Sequence, residues 1–267
     1  MIDLREKIRH SATRLIGRLY RIIESQEEVA TRSLVDNLHK QEILEKLLEQ
    51  SKPARLPGSE HLHYLLATPF RYPPLPWGSR FGRCAEAGIF YGSKSIDTVL
   101  AEAAYYRLLF LNDMQPSPNI AVTSYHQVFS AKYCADPGVR LQAEPWRTFW
   151  PQITHLRDYT FCQDLGNQLR SCGIQGIETF SARALCAGVG GESNNNGLVT
   201  ERQQGVNVAI FEPEALLKRP PTIEAEVTAE ATHSSVHFLI KSGSGLESRR
   251  FFSEDFLDAG SLPLPAG

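Results

Sequence analysis

Residues 88–111, GIFYGSKSIDTVLAEAAYYRLLFL, decide how this chain folds. Gly88 to Tyr91 is a short apolar run bounded by glycine, which suits a buried strand. Asp97 then offers an N-cap, and the spacing predicts a helix to about Leu111, ended by Asn112-Asp113 and the prolines beyond. Val99, Glu102, Ala103 and Tyr106 share one face of that helix. A carboxylate on a largely apolar face needs a partner, because burying an unpaired charge is costly. Glu102 is therefore either a reacting group or the ion-pair partner of a nearby arginine.

Arg80 lies 11 residues before Tyr91, and Tyr91 lies 11 before Glu102. Arg71 and Arg80 sit in Pro/Gly-rich text on the amino-terminal side of the same strand, and a guanidinium fork matches phosphate oxygens two at a time. Tyr91 ends the strand, where a ring can wall a planar ligand or simply belong to the core. A guanidinium, an aromatic face and a lone carboxylate on successive elements can surround a phosphorylated nucleoside. Ser181 follows the apolar run IQGIETF without a G-x-S-x-G elbow, so its hydroxyl reads as a hydrogen-bonding group rather than a nucleophile. No Walker A loop, G-x-G-x-x-G or zinc spacing is present, and the histidines read as structural.

Outward from this centre, residues 1–52 read as helical. Ile8, Leu15, Ile16, Leu19, Ile22 and Ile23 recur at helical spacing, and Leu34 to Leu48 continues after a break. The basic side of the first stretch suits a partner or a solvated face. Ser51 to Gly58 is a proline-marked boundary. Tyr64 to Ala67 reads as a short strand, with Pro69 to Pro76 forming an extended loop that carries Arg71. Ile120–Phe129, Ile174–Phe180, Val206–Phe211 and Val236–Ile240 read as strands, and Leu156–Cys172 as a helix ended at Gly173. Strands and helices interleave without a βαβ rhythm, so the class is α+β. The organisation expected is a helical extension over 1–55, a catalytic domain over 56–220, and strands and a tail over 221–267.

The bulk composition limits the function classes. The 267 residues are 42% hydrophobic and 22% charged with a formal net charge of −2, which supplies no global basic field for nucleic acid. No apolar run is long enough to span a bilayer, and no apolar leader precedes the first helix, so no membrane role and a cytoplasmic location are expected. Five scattered cysteines without a CxxC suit free thiols in a reducing compartment.

The segments TPFRYPP, GSRFG, GIFYGSKSIDTVLAEAAYYR, QDLGNQLRSCGIQGIETFSAR and GVNVAIFEP, in that order, resemble the RES-domain family over about residues 60–213. The resemblance extends to a longer subset with a helical amino-terminal extension. It implies a fold similar to ADP-ribosyltransferases, with split antiparallel β-sheets and flanking helices. It also implies an enzyme that breaks the nicotinamide–ribose bond of NAD with phosphate or water as acceptor, as the toxin of a toxin–antitoxin pair. Arg80, Tyr91 and Glu102 then stand in the catalytic positions and Arg71 and Ser181 in substrate-binding ones. NAD is the substrate, inorganic phosphate a possible co-substrate, and no metal or cofactor is needed. The partners implied are an antitoxin with a helix-turn-helix domain and further copies of the chain. Transfer of ADP-ribose to a protein, or nucleotide binding without turnover, are the alternative readings. The Gly/Asn-rich insert at 187–204 is longer than in most relatives.

Overall fold

The computed structural model of the chain describes residues 3–25, 51–54, 56–72, 74–114, 121–190 and 205–264, together with Lys40, Ile43 and Leu47. It begins with helix α1 (Arg5–Ser11) and strand β1 (Ala12–Glu24), followed by α2 (Tyr64–Arg71), β2 (Phe90–Ser93) and α3 (Ile96–Asp113). The long strand β3 (Val122–Arg140) leads through α4 (Trp150–Ile153) and α5 (Thr160–Ser171) to β4 (Gly176–Phe180), α6 (Ala182–Cys186) and β5 (Val206–Ile210). Three strands finish the described chain, β6 (Thr222–Ala231), β7 (Ser235–Ser242) and β8 (Gly245–Phe252).

The class is α+β, as expected. Among the described residues all eight strands belong to one mixed sheet in the order β1-β2-β5-β4-β3-β6-β7-β8, and β1 also pairs with β3. The strands β1, β2, β5, β4 and β3 therefore close on themselves, while β6, β7 and β8 continue outward from the other half of β3. One continuous sheet thus carries a closed portion and an open portion that share β3. Pairing is antiparallel except between β3 and β4, where Gly138–Arg140 run parallel to Gly176–Glu178.

The helical reading of residues 12–24 is corrected: β1 pairs with β3 from Ala12↔Val139 to Glu24↔His126. Leu15 and Leu19 are both fully buried, and a four-residue spacing fits period 2 as well as period 3.6. Gly17 lies between them and weakens a helix, while its β-branched neighbour Ile16 suits a strand. Most of the second helical stretch, Leu34 to Leu48, lies outside the described residues, as do residues 191–204 of the insert. Tyr64–Ala67 is also a helix rather than a strand, because His63 accepts from the Leu65 N–H and Leu66, Ala67 and Phe70 share a buried face. Arg71 ends that helix instead of riding on an extended loop. Ser95, not Asp97, caps α3 by accepting from the Thr98 N–H at 3.2 Å, and Asp97 instead takes Arg249 at 2.8 Å.

Leu15, Leu19, Phe90, Phe129, Ala131, Tyr133, Val208 and Ile210 fill the closed portion, with Leu66 and Phe70 of α2 packed over them. Gly17 makes room there for a buried polar cluster, since a Cβ would sit 2.7 Å from Lys94 Nζ and 2.9 Å from the Tyr133 hydroxyl. Glu178, 5% exposed, accepts from Tyr133 at 2.5 Å and Gln142 at 3.1 Å, and pairs with Lys94 and Arg140. Burial pushes its carboxyl up, but the Tyr133 hydrogen bond and the two cations outweigh burial and hold it below its ordinary value. Outside the closed portion, α3 packs on β6 and β7 through Leu100, Ala104 and Leu108. Ile8 of α1 and Leu165 and Leu169 of α5 cover Ile177 and Ala209.

Candidate active site

A cavity of about 350 Å³ opens between α3, the loop from Leu75 to Phe81, and the row of strands β2, β5 and β4. Strand pairing sets its floor: Asn207 lies opposite Ser93 on one side and opposite Thr179 on the other. All three residues line the cavity. Glu102 reaches this floor from α3. Its Oε1 accepts from the Asn207 amide at 2.7 Å and from the Ser181 hydroxyl at 2.7 Å, while Ser93 donates to the Asn207 carbonyl oxygen at 2.7 Å. Among the described residues Oε2 receives no hydrogen bond. The amide of Asn207 is thus locked with its nitrogen on the carboxylate, and the carboxylate is aimed by two strands and a helix cap.

Arg80 stands on the opposite wall. Its Nη1 donates to the Ile153 and His155 carbonyls at 3.0 and 2.8 Å, and the guanidinium lies 4.3 Å from the centre of the Tyr159 ring. Burial works against its charge, but Tyr159, Cys162, Glu102 and Tyr106 outweigh burial and its pKa lies above the ordinary value. The Tyr91 hydroxyl is 2.9 Å from Ser79 Oγ and accepts from the Phe81 N–H at 3.2 Å. Burial pushes that phenol up to about 12, so it is a neutral wall group at neutral pH. Arg21 of β1 also lines the cavity. It donates to the Tyr91 carbonyl at 2.8 Å, and burial lowers it to about 10.

The structure brings Arg80, Tyr91 and Glu102 to one cavity. Ser181 is 1% exposed and stands behind the carboxylate; its oxygen also accepts from the Ala184 N–H at 2.9 Å, capping α6. Arg71 is not part of this cavity. It lines a neighbouring one of about 360 Å³ with Lys52, Tyr64 and Tyr72, and Arg21 borders both. Sequence reasoning passed over Asn207, Thr179 and Arg183. An asparagine inside the strand VNVAI is the one local signal, since asparagine is depleted in strands; register alone reveals Thr179. Arg183, 2% exposed, donates through Nη2 to the Leu156 carbonyl at 2.8 Å and packs 3.7 Å from the Tyr105 ring centre. Among the described residues no cluster of His, Cys, Asp or Glu is arranged to hold a metal ion, and no helix is long and apolar enough to cross a membrane.

The sequence profile of the RES domain matches residues 52–230. The chain belongs to the RES-domain family. The RES match thus spans β2 through nearly all of β6, and every residue that holds Glu102 falls within it. Among solved structures, a chain of the M. tuberculosis MbcT–MbcA toxin–antitoxin complex is similar at 12% identity, over 86% of this RES-domain chain and 92% of that one, with a TM-score of 0.45. No curated protein matches.

Proposed function

We propose that this RES-domain chain cleaves NAD between nicotinamide and ribose, passing the ADP-ribosyl group to phosphate or water, and acts as the toxin of a toxin–antitoxin pair. The observation that carries the reading is the carboxylate of Glu102, fixed by Asn207 and Ser181 in a cavity that also holds Arg80 and Tyr91. The nicotinamide ring leaves as a neutral molecule when the N-glycosidic pair of electrons collapses onto its positively charged nitrogen. No general acid is needed for that departure. The barrier lies in the positive charge developing on the ribose, as in other oxocarbenium-like reactions.

A carboxylate held by two hydrogen bonds on one oxygen accepts the ribose 2′-hydroxyl on the other and stabilises the growing charge without reorganising. Ser181 and Asn207 act as positioning residues. Arg80 and Arg21 supply cationic walls for the pyrophosphate, so that binding energy from the non-reacting part orients the reacting ring. Leu75, Trp77 and Tyr106 line the mouth and are 57%, 44% and 51% exposed. They offer apolar and aromatic faces to a base, and a surface that an antitoxin would cover.

The test is release of nicotinamide from NAD by purified protein, with the product weighed by mass spectrometry from phosphate and phosphate-free buffers. Glu102→Gln keeps the hydrogen-bond geometry of a planar group and removes the charge. We expect it to lower kcat by about 10²–10³-fold, the cost of losing one preorganised electrostatic stabiliser. Retention of most activity in this variant, or labelled NAD appearing on a polypeptide, defeats the assignment.

A further inference from the structure

The floor of the cavity has a second face. Side chains alternate along a strand, so the residues next to Ser93 and Thr179, which line the cavity, point into the closed portion of the sheet. They are Lys94 and Glu178, and they pair there. Lys94 Nζ lies 3.4 Å from Glu178 Oε1 and donates to the Tyr133 hydroxyl at 3.0 Å. The two side chains are 11% and 7% exposed. β2 and β4 are not neighbours, because β5 runs between them. The Lys94 N–H donates to the Val206 carbonyl at 2.8 Å, and Glu178 lies opposite Val208. The ion pair therefore crosses behind β5 at the level of Asn207.

Lys94 also occupies the joint between the two parts that aim Glu102. Ser93, just before it, donates to the Asn207 carbonyl oxygen at 2.7 Å, and Asn207 donates to Glu102. Ser95, just after it, caps α3, and Glu102 lies about two turns further along that helix. A buried ion pair adds little net stability compared with apolar side chains of the same volume. What this one supplies is geometry, since a fixed Lys94 fixes the neighbour on either side. We propose that Lys94, held by Glu178, is a positioning residue for Glu102, setting the aim of the carboxylate from behind the sheet. The role rests on the reading of the chain as an NAD-cleaving enzyme only for the reaction that the aim serves.

The experiment uses the full chain and its variants Lys94→Met and Glu178→Gln, and reads two quantities. Lys94→Met keeps an unbranched side chain and leaves Glu178 its partners Tyr133, Gln142 and Arg140. Glu178→Gln keeps a planar group of the same size, so it decides the matter if Lys94→Met fails to fold. The first quantity is steady-state release of nicotinamide from NAD. We expect kcat to fall about 10-fold with KM changed less than about 2-fold, since a misplacement of about 1 Å can cost about 10²-fold in rate. The second needs no turnover: solvent exchange of the Asn207 side-chain amide protons by NMR, assigned by their absence in Asn207→Ala. We expect that exchange to quicken about 10-fold in both variants as local opening becomes easier. A folded variant with unchanged kcat and unchanged exchange overturns the proposal. A raised KM at unchanged kcat overturns it too, as does a lower urea midpoint as the sole change. Failure of both variants to fold assigns the pair to stability alone and has the same meaning. A wild type that never releases nicotinamide, while the Asn207 protons respond in the variants, keeps the positioning role and defeats the NAD-cleaving reading instead.

Discussion

One carboxylate oxygen organises the site at the scale of single residues. Oε1 of Glu102 receives Asn207 and Ser181, and their replacement separates aiming from charge. In Asn207→Asp the amide donor is lost and a second carboxylate faces Glu102 at hydrogen-bond distance, so like-charge repulsion adds to the lost hydrogen bond. Asn207→Ala loses the aim without the repulsion, lowering kcat by about 10-fold, a single lost hydrogen bond to a charged group being worth about 1.5–3 kcal/mol. Steady-state kinetics should therefore show a larger loss of kcat in Asn207→Asp than in Asn207→Ala, and equal losses mean that the negative charge of Glu102 takes no part in the reaction. The even spacing of Arg80, Tyr91 and Glu102 was readable in the sequence because one strand–turn–helix unit carries it. Asn207, Thr179 and Arg183 were not, since only the pairing of β5 with β2 and β4 tells which side chain of VNVAI faces the cavity.

At the scale of elements, β1 is the strand on which sequence and structure differ most. Leu15 and Leu19 fit either period, and what selects the strand is the partner: β3 pairs with β1 along nearly its whole length. Tertiary pairing of this kind is invisible to a window of local residues. Two consequences follow for experiment. Removing residues 1–25 strips the inner partner from β3 and exposes Phe129 and Tyr133, so the remaining chain should lack a cooperative unfolding transition. A truncated chain that melts like the full one contradicts the closed arrangement. Gly17→Val drives methyl groups into Lys94 and Tyr133. We expect a loss of about 1–3 kcal/mol, the usual cost of overpacking a filled site, measured as a lower urea midpoint with unchanged m-value. The segments around β2, α3, α5, β4 and β7 were legible because their hydrophobic spacing and bounding glycines or caps act locally.

Across the whole molecule, buried ionisable groups set how stability responds to acid. His126, 6% exposed, sits on β3 with Ser124 Oγ at 3.1 Å and the Arg107 guanidinium of α3 against its ring. Burial, and then the Arg107 charge, lower it to about 4, against an ordinary histidine value of about 6.5. The folded chain keeps this ring neutral while the unfolded chain protonates it, so the unfolded state binds more protons between those two values. Stability is therefore insensitive to His126 above about pH 6.5 and falls as the pH drops from there toward about 4. Glu178 acts lower on the scale: its depressed folded value contributes stability that is fully present above the ordinary carboxylate value and is lost as the pH falls below it, through the depressed folded value. The two groups separate by window. In His126→Gln the urea midpoint should decline less between pH 7 and pH 5 than in the wild type, whatever its starting level, while the decline below pH 4 persists. Equal slopes between pH 7 and pH 5 would show that the ring is already charged in the folded protein, and with it that Arg107 and the β1–β3 pairing around Glu24 leave His126 open to water.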